Sequence, residues 1–239
     1  MQGASRNSIK LIELELSRSI KDFPFAPRMT AENYTVIEKQ VKEALKNLEQ
    51  SMSLNGLYMT LDGTNWSAEM VESLTNDNIL FDHRAGVYEL PHRKHWPVGR
   101  AVFYTKNKDL VAWINHSEHL ILKSQERRGD VRAAVGRLQS FVSQLQKQLK
   151  FSWHEKLGFL ALKPVNIGTG LHIKTILDLP KLANNIKILK GLCSKHDISI
   201  QSQSCHCFTL VSTKSIGVTE FQIVAQFFTG IKEILEFEQ

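Results

Sequence analysis

The sequence predicts an α+β protein, in which a sheet of many strands is accompanied by long amphipathic helices. Two observations predict this class. Short stretches such as residues 12–16 alternate between apolar and polar side chains, as strands do, whereas longer stretches such as residues 30–50 place apolar residues at helical spacing. The chain has 239 residues, 42% hydrophobic and 23% charged, so it can bury a sizeable core.

The residue pattern in the first half of the chain predicts one strand, two helices and a hairpin. The strand is IELEL at residues 12–16, and its alternation places Glu13 and Glu15 on one face. A long helix is predicted over residues 30–50, and a short one near residues 68–74. The segments AVFYT and LVAWIN flank the turn-like KNKD and predict a hairpin.

The second half predicts three helices and four strands. Asp130 is expected to cap a helix that continues to about residue 149. LGFLAL and LHIKTILDL are predicted to be neighbouring strands around a glycine-containing loop. Pro180 is expected to begin a helix that runs to about residue 195, followed by the strands ISIQ and CFTLVS. Thr219 and Gln222 resemble a capping box at the start of the last helix.

The overall charge excludes little. The formal net charge is +6 and the pI is near 9.2, but acidic and basic residues are interspersed along the chain. A basic surface can bind RNA or acidic partners, and a solvated surface of mixed charge is the simpler interpretation.

No apolar stretch approaches the roughly 18 residues of a membrane span, and the N-terminus lacks the apolar stretch of a secretory signal. We therefore predict a cytoplasmic protein that does not cross a membrane.

The cysteines predict neither a disulfide framework nor a metal site. Cys193, Cys205 and Cys207 are too few and too clustered for a framework, which indicates reduced thiols. Cys205, His206 and Cys207 are metal-ligating residue types. However, adjacent strand residues point to opposite faces, and no second CxxC or HxxxH pair completes a tetrahedral site.

Several segments, taken in order, resemble one family. SRSIKDFPF, WPVGRAVFY, LVAWINHSEHL and FSWHEKLGFLALKPVNIGTGL are similar to segments of the phosphagen (guanidino) kinases, which include creatine and arginine kinases. The similarity is collinear from Leu11 to Glu238. It implies a catalytic domain over residues 11–239 after a tail over residues 1–10, with a large, mostly antiparallel sheet flanked by helices in a glutamine-synthetase-like fold. The family's small N-terminal helical domain has no counterpart in this sequence.

The resemblance also implies a degenerate active site. In the family, a cage of arginines surrounds the phosphates. At those five cationic positions this sequence has Glu13, Glu15, Ile121, His172 and Ser204. The alignment that assigns Ser204 is loose. A histidine, a guanidinium-orienting glutamate and a reactive cysteine of the family correspond to Asn78, Ser117 and Lys163. Ordinary ATP binding and family catalysis are therefore expected to be badly impaired.

Other family positions are kept and are expected to form only a remnant of the nucleotide pocket. They are Trp113, His119, Asn166, Gly168, Thr169 and Gly170. Trp113 and His119 resemble positions near the family's nucleotide, and packing is the favoured explanation for both. A further hypothesis pairs Lys163 with Glu13 or Glu15 in a self-neutralised pocket.

These observations predict a phosphagen-kinase-like pseudoenzyme, which acts as a structural or regulatory subunit through protein partners in a larger assembly or with an active paralogue. No cofactor is expected. Two alternatives stay open. One is an active or divergent ATP:guanidino phosphotransferase that uses magnesium-ATP, for which Glu13 and Glu15 are conceivable magnesium ligands. The other is a basic nucleic-acid or polyanion binder, which the interspersed charges make the less favoured role.

Overall fold

The computed structural model describes residues 8–62, 66–77, 79–80, 95–127 and 129–239. The strands of its main sheet are β1 Ile9–Arg18, β2 Gly56–Thr60, β3 Ala101–Thr105, β4 Leu110–Ile114, β5 Leu120–Glu126, β8 Leu171–Asp178, β9 Ile198–Ser204 and β10 Cys207–Ser212. A separate pair consists of β6 Trp153–His154 and β7 Gly158–Phe159. Within the described residues, the main sheet is antiparallel with eight strands in the order β2-β3-β4-β5-β1-β8-β10-β9.

The helices begin where the sequence places cap residues. They are α1 Ala31–Met52, α2 Ala68–Asn76, α3 Val131–Leu145, α4 Pro180–Ala183, α5 Ile186–Lys195 and α6 Glu220–Glu238. The Thr30 and Thr219 hydroxyls accept hydrogen bonds from backbone N–H groups in the first turns of α1 and α6, as capping boxes do. Asp130 caps α3 in the same way, by accepting from the N–H of Ala133. These contacts satisfy donors that the first turn of a helix leaves unpaired.

The two faces of the central strand β1 have different surroundings. Leu14 and Leu16 point into the larger core, which also contains Phe141 of α3 and residues of α1 and α6. Glu13 and Glu15 point to the opposite face, because side chains alternate along a strand. That face also carries a smaller core beside α2, formed by Leu74, Ile79, Leu80, Val102, Tyr104 and Val111. The predicted α+β class, with helices flanking a large antiparallel sheet, is confirmed.

Three element boundaries differ from those that the sequence predicts. LGFLAL forms only the short strand β7, which pairs with β6, whereas the neighbours of β8 are β1 and β10. The helix predicted over residues 180–195 is divided into α4 and α5 at Asn184 and Asn185, since asparagine is a poor residue for a helix interior. α3 ends at Leu145, four residues earlier than predicted, and turns follow it.

The sheet also begins slightly earlier than expected. β1 starts at Ile9, inside the N-terminal tail predicted over residues 1–10. Among the described helices, none combines the length and the apolar character required to span a lipid bilayer.

Candidate functional site

The strand register brings two acids together with two lysines at the centre of the sheet. Glu15 of β1 lies directly opposite Lys123 of β5 and His172 of β8, and Glu13 lies opposite Lys174 of β8. Directly opposite residues share a face of an antiparallel sheet. The face that the resemblance assigns to the phosphates is therefore shared by acids and lysines.

These side chains form a connected set of ion pairs, which we call the acid–lysine network: Glu13, Glu15, Lys123 and Lys174. The Lys174 Nζ lies 2.7 Å from Glu13 Oε1, and the Lys123 Nζ lies 3.6 Å from the same oxygen and 3.2 Å from Glu15 Oε2. The side chains of Glu13 and Lys123 are only 3% and 5% exposed. Two acids face two lysines, so the formal charges of the network cancel.

The two lysines keep Glu13 ionised. Burial alone would raise the pKa of Glu13, but the charges of Lys123 and Lys174 outweigh it and hold that pKa below its ordinary value. The Lys123 Nζ also lies 3.6 Å from the centre of the Trp113 ring, a cation–π contact. Lys123 is thereby held by two carboxylates and an aromatic face.

The sequence hypothesis of a self-neutralised pocket named the wrong lysine. Glu13 and Glu15 pair with Lys123 and Lys174, whereas Lys163 is exposed at the start of the loop. The two paired lysines lie on neighbouring strands distant in sequence, and only the strand register shows that they reach β1.

Ile121 is another substituted position on this face. It lies on β5 opposite Ser17 of β1 and opposite Trp113 of β4, and it is 2% exposed. An apolar side chain there offers no charge to a phosphate. Ser117, which precedes β5, is also buried at 3% exposure.

A buried carboxylate that sequence reasoning missed holds the loop over residues 162–170. Glu118 is 2% exposed, and its carboxylate accepts hydrogen bonds from the N–H groups of Leu162 and Lys163 at 2.9 and 3.0 Å. It also accepts from the Nδ2 of Asn166 at 2.9 Å. The available signal was the one acid of the WINHSEHLIL stretch. Glu118 therefore holds the loop by accepting hydrogen bonds from the loop's backbone N–H groups.

The same contacts continue to His172. The Asn166 Oδ1 accepts a hydrogen bond from His172 Nε2 at 2.9 Å. Burial lowers the pKa of His172; the charge of Glu15 opposes that effect and the charge of Lys163 adds to it. His172 therefore stays neutral near pH 7. The resemblance implies an arginine at this position.

The loop glycines are needed for close backbone contacts within the protein. Gly168 has a φ of 102°, and a Cβ there would lie 2.2 Å from the carbonyl oxygen of Ser215. Gly170 has a φ of 62°, and a Cβ there would lie 2.7 Å from the carbonyl oxygen of Ser17. Packing alone therefore requires both glycines. Thr169, between them, is buried and accepts a hydrogen bond from Arg18 through its carbonyl oxygen.

Arg18 is a second buried charge that the sequence did not single out. Its Nη1 donates to Thr169 O at 2.7 Å, and its guanidinium lies 3.5 Å from the centre of the Phe159 ring. Burial lowers the pKa of Arg18 to about 10, against the opposing charge of Glu220. Arg18 lines a cleft of about 890 Å³ together with Leu14 and other apolar residues. That cleft lies beside α3 and α6, on the face of β1 opposite the acid–lysine network.

Trp113 and His119 are both engaged in packing. The Trp113 Nε1 donates to the carbonyl oxygen of Ile79 at 2.6 Å. The His119 Nδ1 accepts from the Ile20 N–H at 3.0 Å, so its Nε2 carries the proton and donates to Pro24 O at 3.1 Å. Burial lowers the pKa of His119 to about 4, so its ring is neutral at pH 7.

Two assigned positions fall elsewhere. Asn78 lies outside the described residues. The structure does not bring Ser204 to the site, because Ser204 pairs with Cys207, which in turn lies opposite Asp178 at the far end of β8 from His172. Six residues of extended strand separate those ends, roughly 20 Å. The loose alignment of this region assigned the position by sequence order rather than by strand register.

Comparisons with known proteins agree with this fold. The family model for the ATP:guanido phosphotransferase C-terminal catalytic domain matches residues 36–239. The arginine kinase Lit v 2.0101 of Penaeus vannamei is 31% identical over 230 residues, which cover 93% of this chain and 64% of that protein. An arginine kinase of Limulus polyphemus is 29% identical over 230 residues, covering 93% of this chain and 63% of its own length.

Solved structures give the same result. The substrate-free duplicated taurocyamine kinase of Schistosoma mansoni superposes with a TM-score of 0.88 at 27% identity, covering 100% of this chain and 35% of that one. A lombricine kinase superposes with a TM-score of 0.86 at 22% identity, covering 100% of this chain and 68% of that one, and supports the fold alone.

The fold and the matches define a phosphagen kinase catalytic domain. This chain belongs to the ATP:guanido phosphotransferase family, as its sequence predicts. It spans about 64% of the length of the Penaeus vannamei arginine kinase that it matches.

Proposed function

We propose that this chain is a pseudoenzyme of the phosphagen kinase family, which keeps the catalytic fold and has lost guanidino kinase chemistry. It acts as a structural or regulatory subunit in the cytoplasm through contacts with protein partners. The observation that supports this proposal most directly is the acid–lysine network. At two positions where the resemblance implies phosphate-binding arginines, Glu13 and Glu15 already engage Lys123 and Lys174.

Electrostatics gives the size of the effect. A unit charge about 6 Å from a phosphate charge contributes roughly 3 kcal/mol at an effective dielectric constant near 20. Two arginines replaced by Glu13 and Glu15 therefore change attraction into repulsion at two positions. Each 1.4 kcal/mol of lost transition-state stabilisation lowers a rate about tenfold. Catalysis by phosphoryl transfer depends on this positive charge, because the protein contributes little covalent chemistry.

The two lysines do not replace the lost arginines. Lys123 and Lys174 each lie within 4 Å of a carboxylate, and a phosphate that approached them would have to displace Glu13 or Glu15. Displacement would leave a buried carboxylate without its partner, which costs several kcal/mol. The site is thus expected to discriminate against nucleotide phosphates.

Nucleotide titration tests the loss of activity. We expect calorimetry and thermal shift with magnesium-ADP or magnesium-ATP to show no saturable binding below about 1 mM. We also expect no phosphate transfer to arginine, creatine or taurocyamine. The Penaeus vannamei arginine kinase, assayed in parallel, is the positive control. Micromolar nucleotide binding, or transfer above the no-enzyme blank, would overturn the proposal.

The subunit role has its own test. We expect the full chain to co-elute in size-exclusion chromatography with an active phosphagen kinase of the same organism, at a mass equal to the sum of the two. Separate elution at micromolar concentrations would argue against an assembly with an active paralogue. Binding to RNA with a steep salt dependence would favour the polyanion role instead.

A further inference from the structure

A second cluster of ligating side chains lies far from the acid–lysine network, at the other end of β8. Asp178, the last residue of β8, is directly opposite Cys207, the first residue of β10. His206 precedes Cys207 in the turn between β9 and β10. The cluster therefore combines one carboxylate from β8, one thiol from β10 and one imidazole from the turn that precedes β10.

The ligand atoms of the three residues converge. The carboxylate, imidazole and thiol atoms all lie within 4.8 Å of one another. The His206 Nε2 lies 3.2 Å from Asp178 Oδ1. Two ligands bound to zinc at about 2.0–2.1 Å with a tetrahedral angle stand roughly 3.3 Å apart. The nitrogen and oxygen thus already have the separation that a shared metal ion requires.

The backbone holds these residues in place. The Leu179 N–H donates to the carbonyl oxygen of His206 at 2.8 Å, which ties the turn to the end of β8. Cys205 has a φ of 52°, the left-handed conformation that reverses the chain before His206. Lys10 Nζ lies 3.4 Å from Asp178 Oδ2, so the other oxygen, Oδ1, is the one that faces His206.

We propose that Asp178, His206 and Cys207 bind a zinc ion, with water as the fourth ligand. A thiolate, an imidazole and a carboxylate together match zinc, whereas magnesium and calcium prefer oxygen ligands alone. The His206 side chain is 52% exposed, which gives the ion a path from solvent. Sequence spacing predicted no metal because it lacked a second Cys or His pair. The strand register supplies the missing ligand, Asp178.

Metal titration of the full chain tests this assignment. We expect zinc, added to reduced protein at pH 7.5, to bind at one ion per chain with a dissociation constant below about 10 µM. Cobalt in place of zinc should give the visible absorption of a tetrahedral ion and a thiolate-to-metal charge-transfer band in the near ultraviolet. The band reports the bond to Cys207 directly.

The neighbouring cysteine provides a matched control. Cys207→Ser should abolish the charge-transfer band, and Cys207→Ser, His206→Gln and Asp178→Asn should each weaken zinc binding at least about tenfold. Cys205→Ser should keep the band and bind zinc within about twofold of the unaltered chain. Circular dichroism of each variant confirms that it is folded. Three results would overturn the proposal: no saturable binding, equal weakening by Cys205→Ser, or one ion shared by two chains.

Discussion

The two halves of the candidate site, the sheet face and the loop over residues 162–170, differ in what holds them. The loop is fixed by backbone contacts, through Glu118 and through the close approaches of Gly168 and Gly170. The sheet face is defined by side-chain charge, in the acid–lysine network. The resemblance implies that these glycines are family residues, and that Glu13 and Glu15 stand on the sheet face at positions where the family has arginines. Shape and charge are separable because backbone geometry depends on packing, and a site's charge depends on only a few side chains.

The largest expected effect is on the network. Glu13→Gln should lower the free energy of unfolding by about 3–5 kcal/mol, because it leaves Lys174 and Lys123 without their buried carboxylate. Glu15→Gln is the matched control, and it should cost about 1 kcal/mol or less because Glu15 is 29% exposed. Urea unfolding at pH 7 measures both. Equal losses for the two variants would show that burial of Glu13 does not stabilise the network.

A smaller loss of stability is expected at Gly168, where the backbone conformation favours glycine. Gly168→Ala should cost roughly 3 kcal/mol, because its φ of 102° is strained for alanine and its Cβ would meet Ser215. Gly136→Ala is the control: Gly136 lies inside α3, a Cβ there has nothing within 4 Å, and the change should stabilise by about 0.5–1 kcal/mol. Denaturant midpoints compare the two. Tolerance of alanine at Gly168 would contradict the packing explanation for the loop glycines.

The lowered pKa of His119 predicts that the free energy of unfolding depends on pH. Its pKa is lowered from 6.5 to about 4 in the folded chain, so the unfolded chain takes up a proton first as the pH falls. The stability is full above pH 6.5 and declines between pH 6.5 and 4, by about 2–3 kcal/mol at pH 4.5. Urea unfolding at pH 7 and 4.5 should show a smaller decline for His119→Gln. An identical decline would remove His119 as its cause.

The smallest loss of stability is expected for Glu118, whose carboxylate holds the loop over residues 162–170. Glu118→Gln should cost about 2 kcal/mol, since one amide oxygen replaces a carboxylate that accepts three hydrogen bonds from the loop. Hydrogen exchange should accelerate at the amides of Leu162 and Lys163 and stay unchanged in α6. Ser117→Ala, next to Glu118, is the control and should leave those amide rates unchanged. Protection of both amides in Glu118→Gln would show that the loop is held by its glycine contacts alone.

Local sequence patterns were sufficient for most elements. Alternation in IELEL predicted β1, and the capping residues Thr30, Asp130 and Thr219 predicted where three helices begin. Local patterns failed at LGFLAL, which is apolar enough for a long strand. Only two of its residues join a strand, because its partner is β6 rather than β8. Strand pairing between distant segments decides such cases.

The sequence by itself determined the fold class, the family and the presence of acids on the central strand. Each of these depends on the order of residues along short segments, and that order is the same in the folded and the unfolded chain. Only the tertiary structure decided that Lys123 and Lys174 neutralise those acids, that Glu118 holds the loop, and that Asp178 joins His206 and Cys207. The physical reason is that strand register places residues opposite one another across the sheet, whatever their separation in sequence.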